Sequence, residues 1–170
     1  GGEGKVTLVK RKLLYLHETD TLFIKDDVHT TNDNYPVSLV FHTVNRPEAD
    51  DERVIEGSAD NGIIQAKGQN VFIKNGKGRL TLEFLNDYAH LTFIGGEQYK
   101  FYVKSNHLSQ DSSGKNMTQG LSADTLTKSA NWRIQLGLSS NSQHSTMVSV
   151  ARPSLFAFRE SLTQKILLPN

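Results

Sequence analysis

Along most of this chain apolar and polar residues alternate with a period of two. In residues 79–84 (RLTLEF), Leu80, Leu82 and Phe84 fall on one side, and Arg79, Thr81 and Glu83 on the other. Side chains two apart share a face of a strand, so this is the pattern of a strand with one buried face. After Asn86-Asp87 and the Gly95-Gly96 break, Tyr99, Phe101 and Val103 repeat it. The same reading predicts strands over 6–16, 21–28 and 37–44, short ones over 53–56, 62–66 and 70–74, and later ones over 131–136 and 146–151.

The breaks between these runs are turn chemistry. His17-Glu18-Thr19-Asp20 is short and polar, suited to a hairpin joining the first two strands. Asn32-Asp33-Asn34 with Pro36 marks a loop, and Pro47 closes the third strand because proline cannot donate to a central ladder. Asn61-Gly62 and Asn75-Gly76 suit turns that need positive φ. Residues 105–130 are a long polar loop, and 155–168 fit either a short amphipathic helix or a strand pair. Ten to twelve short strands with almost no helical periodicity predict an all-β fold, an antiparallel β-sandwich forming one domain over residues 1–170.

Composition narrows the function classes. Nineteen Lys plus Arg against eighteen Asp plus Glu give a formal charge of +1 over 170 residues. That leaves no net field to gather a polyanion, so nucleic acid is not an expected partner. Zero cysteines remove disulfide and thiol chemistry and fit a periplasmic, secreted or cytoplasmic protein. No apolar run approaches the roughly 20 residues of a membrane helix, so membrane insertion is not expected.

At Phe41-His42-Thr43-Val44-Asn45-Arg46-Pro47 a signature begins. Leu13-Leu14-Tyr15-Leu16 and Leu22 to Val28 precede it, and Leu80-Thr81-Leu82, Gly95-Gly96-Glu97-Gln98-Tyr99 and Trp132-Arg133-Ile134 follow in order. Together these segments resemble the C-terminal β-sandwich domain of heparinase II/III-like polysaccharide lyases, over most of residues 6–151. Asp27 departs from the pattern, standing where the family usually has a basic residue. The resemblance implies an α/α toroid ahead of the sandwich, β-elimination of uronic-acid polysaccharides by Tyr and His drawn mostly from that helical domain, and a periplasmic or secreted location. The partners it implies are an acidic polysaccharide and the helical domain, which this chain lacks. The chain then reads as the C-terminal piece of a lyase with no catalytic residue of its own. The alternative is a stand-alone carbohydrate-binding or adhesive β-domain.

The resemblance further implies a structural zinc held by two His and an Asp. His42 is the best match for one ligand, and Asp26 (or Asp27) with His90 completes a set if the sandwich brings them together. Three protein ligands are the usual minimum for zinc. No His-x-His or HExxH spacing supports the set independently, and alternation leaves open whether His42 is buried, since Ser38, Val40, His42 and Val44 form a mixed face. Arg133, Trp132 and Tyr102 are the candidate substrate-binding residues: a cation for a uronate carboxylate and two aromatic rings for sugar stacking. Lys10-Arg11-Lys12 is a basic run on a strand, suited to a solvated edge that discourages aggregation. Asn116-Met117-Thr118 matches the glycan acceptor pattern, which has meaning only in a eukaryotic secretory context.

Overall fold

A computed structural model describes residues 4–96, 99, 131–139 and 142–155. They form eleven strands: β1 (Val6–Leu16), β2 (Thr21–Thr30), β3 (Ser38–Thr43), β4 (Pro47–Glu48), β5 (Arg53–Ser58), β6 (Asn61–Ala66), β7 (Asn70–Asn75), β8 (Gly78–Phe84), β9 (Tyr88–Gly95), β10 (Trp132–Leu138) and β11 (His144–Leu155). Six make one sheet in the order β1-β2-β11-β8-β7-β4, and five make the other in the order β3-β10-β9-β6-β5. Every pairing is antiparallel. This is the expected all-β architecture of two packed sheets.

Local chemistry accounts for the hairpins. His17–Thr19 form a single 3-10 turn, closed by Asp20 at φ 47°, and the register that follows pairs Leu16 with Thr21. Gly76 takes φ 56° in the β7–β8 turn. Asn61-Gly62 differs from expectation: both residues lie in β6, and the left-handed residue of that hairpin is Gly57, at φ 76° beside a register shift in β5. Pro47 opens β4, a two-residue edge strand of the opposite sheet, where a missing N–H costs no central ladder bond.

The inward faces are the apolar sets of the alternation. Leu82 and Phe84 of β8, Trp132, Ile134 and Leu136 of β10, and Leu91 and Phe93 of β9 are all buried in one core. Fully burying such a side chain is worth roughly 1.5–3 kcal/mol, so the shared core outweighs any surface contact described below. The chain crosses between the sheets repeatedly, β2 to β3 and β10 to β11 for example, so both sheets depend on that core. Tyr99 is buried as well, its hydroxyl donating to Glu56 Oε1 at 2.9 Å. The rest of the strand expected to 103, the polar loop 105–130, Asn116 and the segment after Leu155 lie outside the described residues.

One contact ties β9, the central strand of the five-stranded sheet, to its neighbour β10. Gly95 of β9 faces Trp132 of β10, and a Cβ there would sit 2.4 Å from the Asn131 carbonyl oxygen and 2.5 Å from Trp132 Cδ2. Replacing Gly95 therefore forces backbone or indole to move. Urea unfolding of Gly95→Ala is expected to show a loss of about 1–3 kcal/mol. Gly76→Asn, at a left-handed position with no atom within 4 Å of the would-be Cβ, is expected to stay within about 0.5 kcal/mol of the parent.

Candidate functional site

Three of the segments singled out by the sequence, those of His42, Gly95 and Trp132, meet on the five-stranded sheet. β3 is its edge strand, with Leu39 buried inside and His42 exposed outside. The β3–β10 register sets His42 opposite Arg133 and Thr43 opposite Trp132. On the far side of β10, Arg133 faces Ile94 and Gln135 faces Thr92. The outer face therefore carries a row His42–Arg133–Ile94, and beside it a row Val40–Gln135–Thr92. Arg133 is half-buried in the first row.

Trp132, one residue before Arg133, points the other way. It is 5% exposed and belongs to the core. The guanidinium of Arg46 lies 5.7 Å from its ring centroid. Arg46 in turn donates to Glu52 Oε2 at 2.6 Å and to the Ala59 carbonyl at 2.7 Å. Trp132 is thus an interior anchor at the end of β10, and the member of the Trp132-Arg133 pair on the outer face is the half-buried Arg133. Tyr102 lies outside the described residues.

The zinc expectation is overturned. Among the described residues no group of three or more His, Cys, Asp or Glu could hold a metal ion. The reason is topological. His42 faces Arg133 on one side of β10, whereas His90 faces Gly137 on the other side. Four residues of strand separate the two levels, roughly 13 Å at the usual rise. The ring of His90 occupies the space above Gly137, where a Cβ would come within 2.0 Å of it. Asp26 is in the other sheet altogether, on β2. It is 4% exposed, and both its oxygens accept from Arg11: Oδ1 from Nε at 2.7 Å and Oδ2 from a terminal nitrogen at 3.0 Å. Asp27 points to the opposite face, where it accepts from Thr146 Oγ1 at 2.8 Å and lies 3.2 Å from Lys25. Those two hydrogen bonds, Thr146 first, hold its carboxyl below the usual carboxylate range.

The Arg11–Asp26 pair is the structural feature that composition alone hides. The short His17–Asp20 connection pairs Leu16 with Thr21, and counting back along both strands brings Arg11 opposite Asp26. The hairpin register was the signal that could have found it. The pair sits at the floor of a cleft of about 550 Å³, bounded by β1, β2 and the β3 edge and walled by Val9, Val28, Val37, Leu39 and Met147. Lys5 closes one end, its ammonium 5.3 Å from the Tyr35 ring centroid. A buried carboxylate in apolar surroundings requires its cation, so the role of Asp26 is to hold β1 by Arg11. No protein-family model matches the chain, and no curated protein matches it.

Arg11→Met, which strands the Asp26 carboxylate, is expected to cost roughly 1–3 kcal/mol in urea unfolding, tempered by the half-exposed position of Arg11. Adding Asp26→Leu is expected to recover most of that loss. Dialysis against a chelator is expected to leave the thermal midpoint in place, and zinc addition is expected not to raise it; a zinc-dependent rise would contradict the ligand geometry above.

Proposed function

We propose that this chain is the β-sandwich of a heparinase II/III-like polysaccharide lyase, supporting β-elimination of uronic-acid polysaccharides by a helical domain. The observation that carries the reading is the convergence of the resembling segments. The His42-Thr43 segment, the Gly95-Gly96 segment and the Trp132-Arg133 segment are far apart in sequence, yet Thr43 and Gly95 flank Trp132 on either side in one sheet. The two opening segments pair as the β1–β2 hairpin. Arg46, from the same signature, stacks on Trp132 at that corner.

In this reading the outer face beside that corner walls one side of the polysaccharide cleft. Elimination at a uronate needs positive groups or donors near the carboxylate as charge develops. Arg133 with His42 beside it supplies such donors, and Gln135 and Thr92 in the next row suit sugar hydroxyls. The base and acid come from the helical domain, and the proposed location is periplasmic or secreted.

The test compares residues 1–170 with a longer product carrying the helical domain, on a panel of acidic polysaccharides, following the ultraviolet absorbance of unsaturated uronate. Turnover is expected only for the longer protein. Turnover by residues 1–170 alone contradicts the supporting role, and glycan binding without turnover by either protein points instead to a stand-alone carbohydrate-binding domain. In the active form, Arg133→Gln is expected to raise KM about tenfold, the scale of one lost charge-assisted hydrogen bond.

A further inference from the structure

The six-stranded sheet outruns its partner at one edge. β1 is the terminal strand, pairing only with β2 among the described residues. All eleven of its residues are exposed, and seven of them are large apolar residues. Val9 (67% exposed), Leu13 (63%) and Tyr15 (55%) line its inner face with Arg11, while Leu14 (59%) lies on the outer face between Lys12 and Leu16. A solvated edge strand carries charges and few apolar side chains. Here the hydrogen-bonding edge of β1 that has no partner strand among the described residues runs beside apolar side chains on both faces.

The charges at its centre say what fits there. Arg11 is engaged by Asp26. On the outer face Lys12 lies directly opposite Lys25, and Lys10 opposite Asp27, which Lys25 and Thr146 already hold. Lys12 and Lys25 thus both act on the Asp27 carboxylate while Lys10 stands across the strand from it, and like charges directly opposite are unfavourable. A second copy of the chain fits poorly. The antiparallel register that pairs the whole of β1 with itself sets Lys10 against Lys12 and Arg11 against Arg11.

We propose that β1 is a docking edge for an extended strand of another polypeptide, apolar at alternate positions, with two carboxylates two residues apart at its centre. Such a strand adds antiparallel to the sheet, extending its main-chain ladder. Its carboxylates meet Lys10 and Lys12 on the outer face. Its inward residues continue the apolar floor of Val9 and Leu13. This assignment stands apart from the lyase reading and is independent of any glycan.

The probes are two labelled peptides, Thr-Val-Thr-Val-Glu-Val-Glu-Val-Thr-Val-Thr and its counterpart with Lys in place of both Glu. Fluorescence anisotropy against residues 1–170 is expected to show the acidic peptide binding at least about tenfold more tightly, a difference of about 1.4 kcal/mol. The double variant K10E/K12E, checked for an unchanged thermal midpoint, is expected to reverse that preference. Equal affinities, no binding of either peptide, or an unreversed preference in the variant overturns the assignment. A stable dimer of the chain alone by light scattering overturns it too, because the occupant is then a second copy.

Discussion

The structure depends on one packing constraint: the two sheets bury the same period-two apolar sets against each other, and several of the wholly buried side chains lie on the neighbouring strands β9 and β10 of the five-stranded sheet. Leu91, Phe93 and Ile134 are wholly buried, and Leu136 nearly so. At the end of this pair the indole of Trp132 lies over Gly95, in space that any other residue would fill. β3 docks to one side of the pair and β6 to the other. What each outer face presents therefore follows from the register of β10. A shift of one residue would turn Arg133 inward and Trp132 outward.

Away from this centre the two sheets are unequal. Among the described residues six strands face five, and β1 is a terminal strand of the larger sheet. A cleft lies between β1 and the β3 edge, and Arg11 is half exposed above a buried Asp26. A carboxylate that a closed sandwich would exclude is tolerated at the open side because a cross-strand arginine reaches it in two hydrogen bonds. Stability is concentrated at β9 and β10, and unsatisfied surface at β1.

Much of this architecture was legible in the chain. Leu80, Leu82 and Phe84, and Trp132, Ile134 and Leu136, announced their buried faces through alternation alone, and His17–Asp20 announced the first hairpin. The candidate site was less legible, for a physical reason. Alternation assigns a side chain to one of two faces but does not say which strand lies next to it. His42, Asp26 and His90 each sat on a plausible strand, yet sheet membership and register, set by contacts distant in sequence, separated them. The basic run Lys10-Arg11-Lys12 suited a solvated edge, and β1 is a terminal strand, but alternation did not announce that Val9, Leu13 and Leu14 would be exposed beside it.

Native-state amide hydrogen exchange tests the central claim, that stability resides at the β9–β10 pair while β1 is a terminal edge. The slowest exchange is expected at buried positions of β10, Ile134 and Leu136 among them, by opening on the scale of global unfolding. Along β1 alternating rates are expected, slow where the amide bonds to β2 and fast where it points away from the sheet. Uniform protection along β1, or exchange in β10 as fast as at the edges, would contradict that claim.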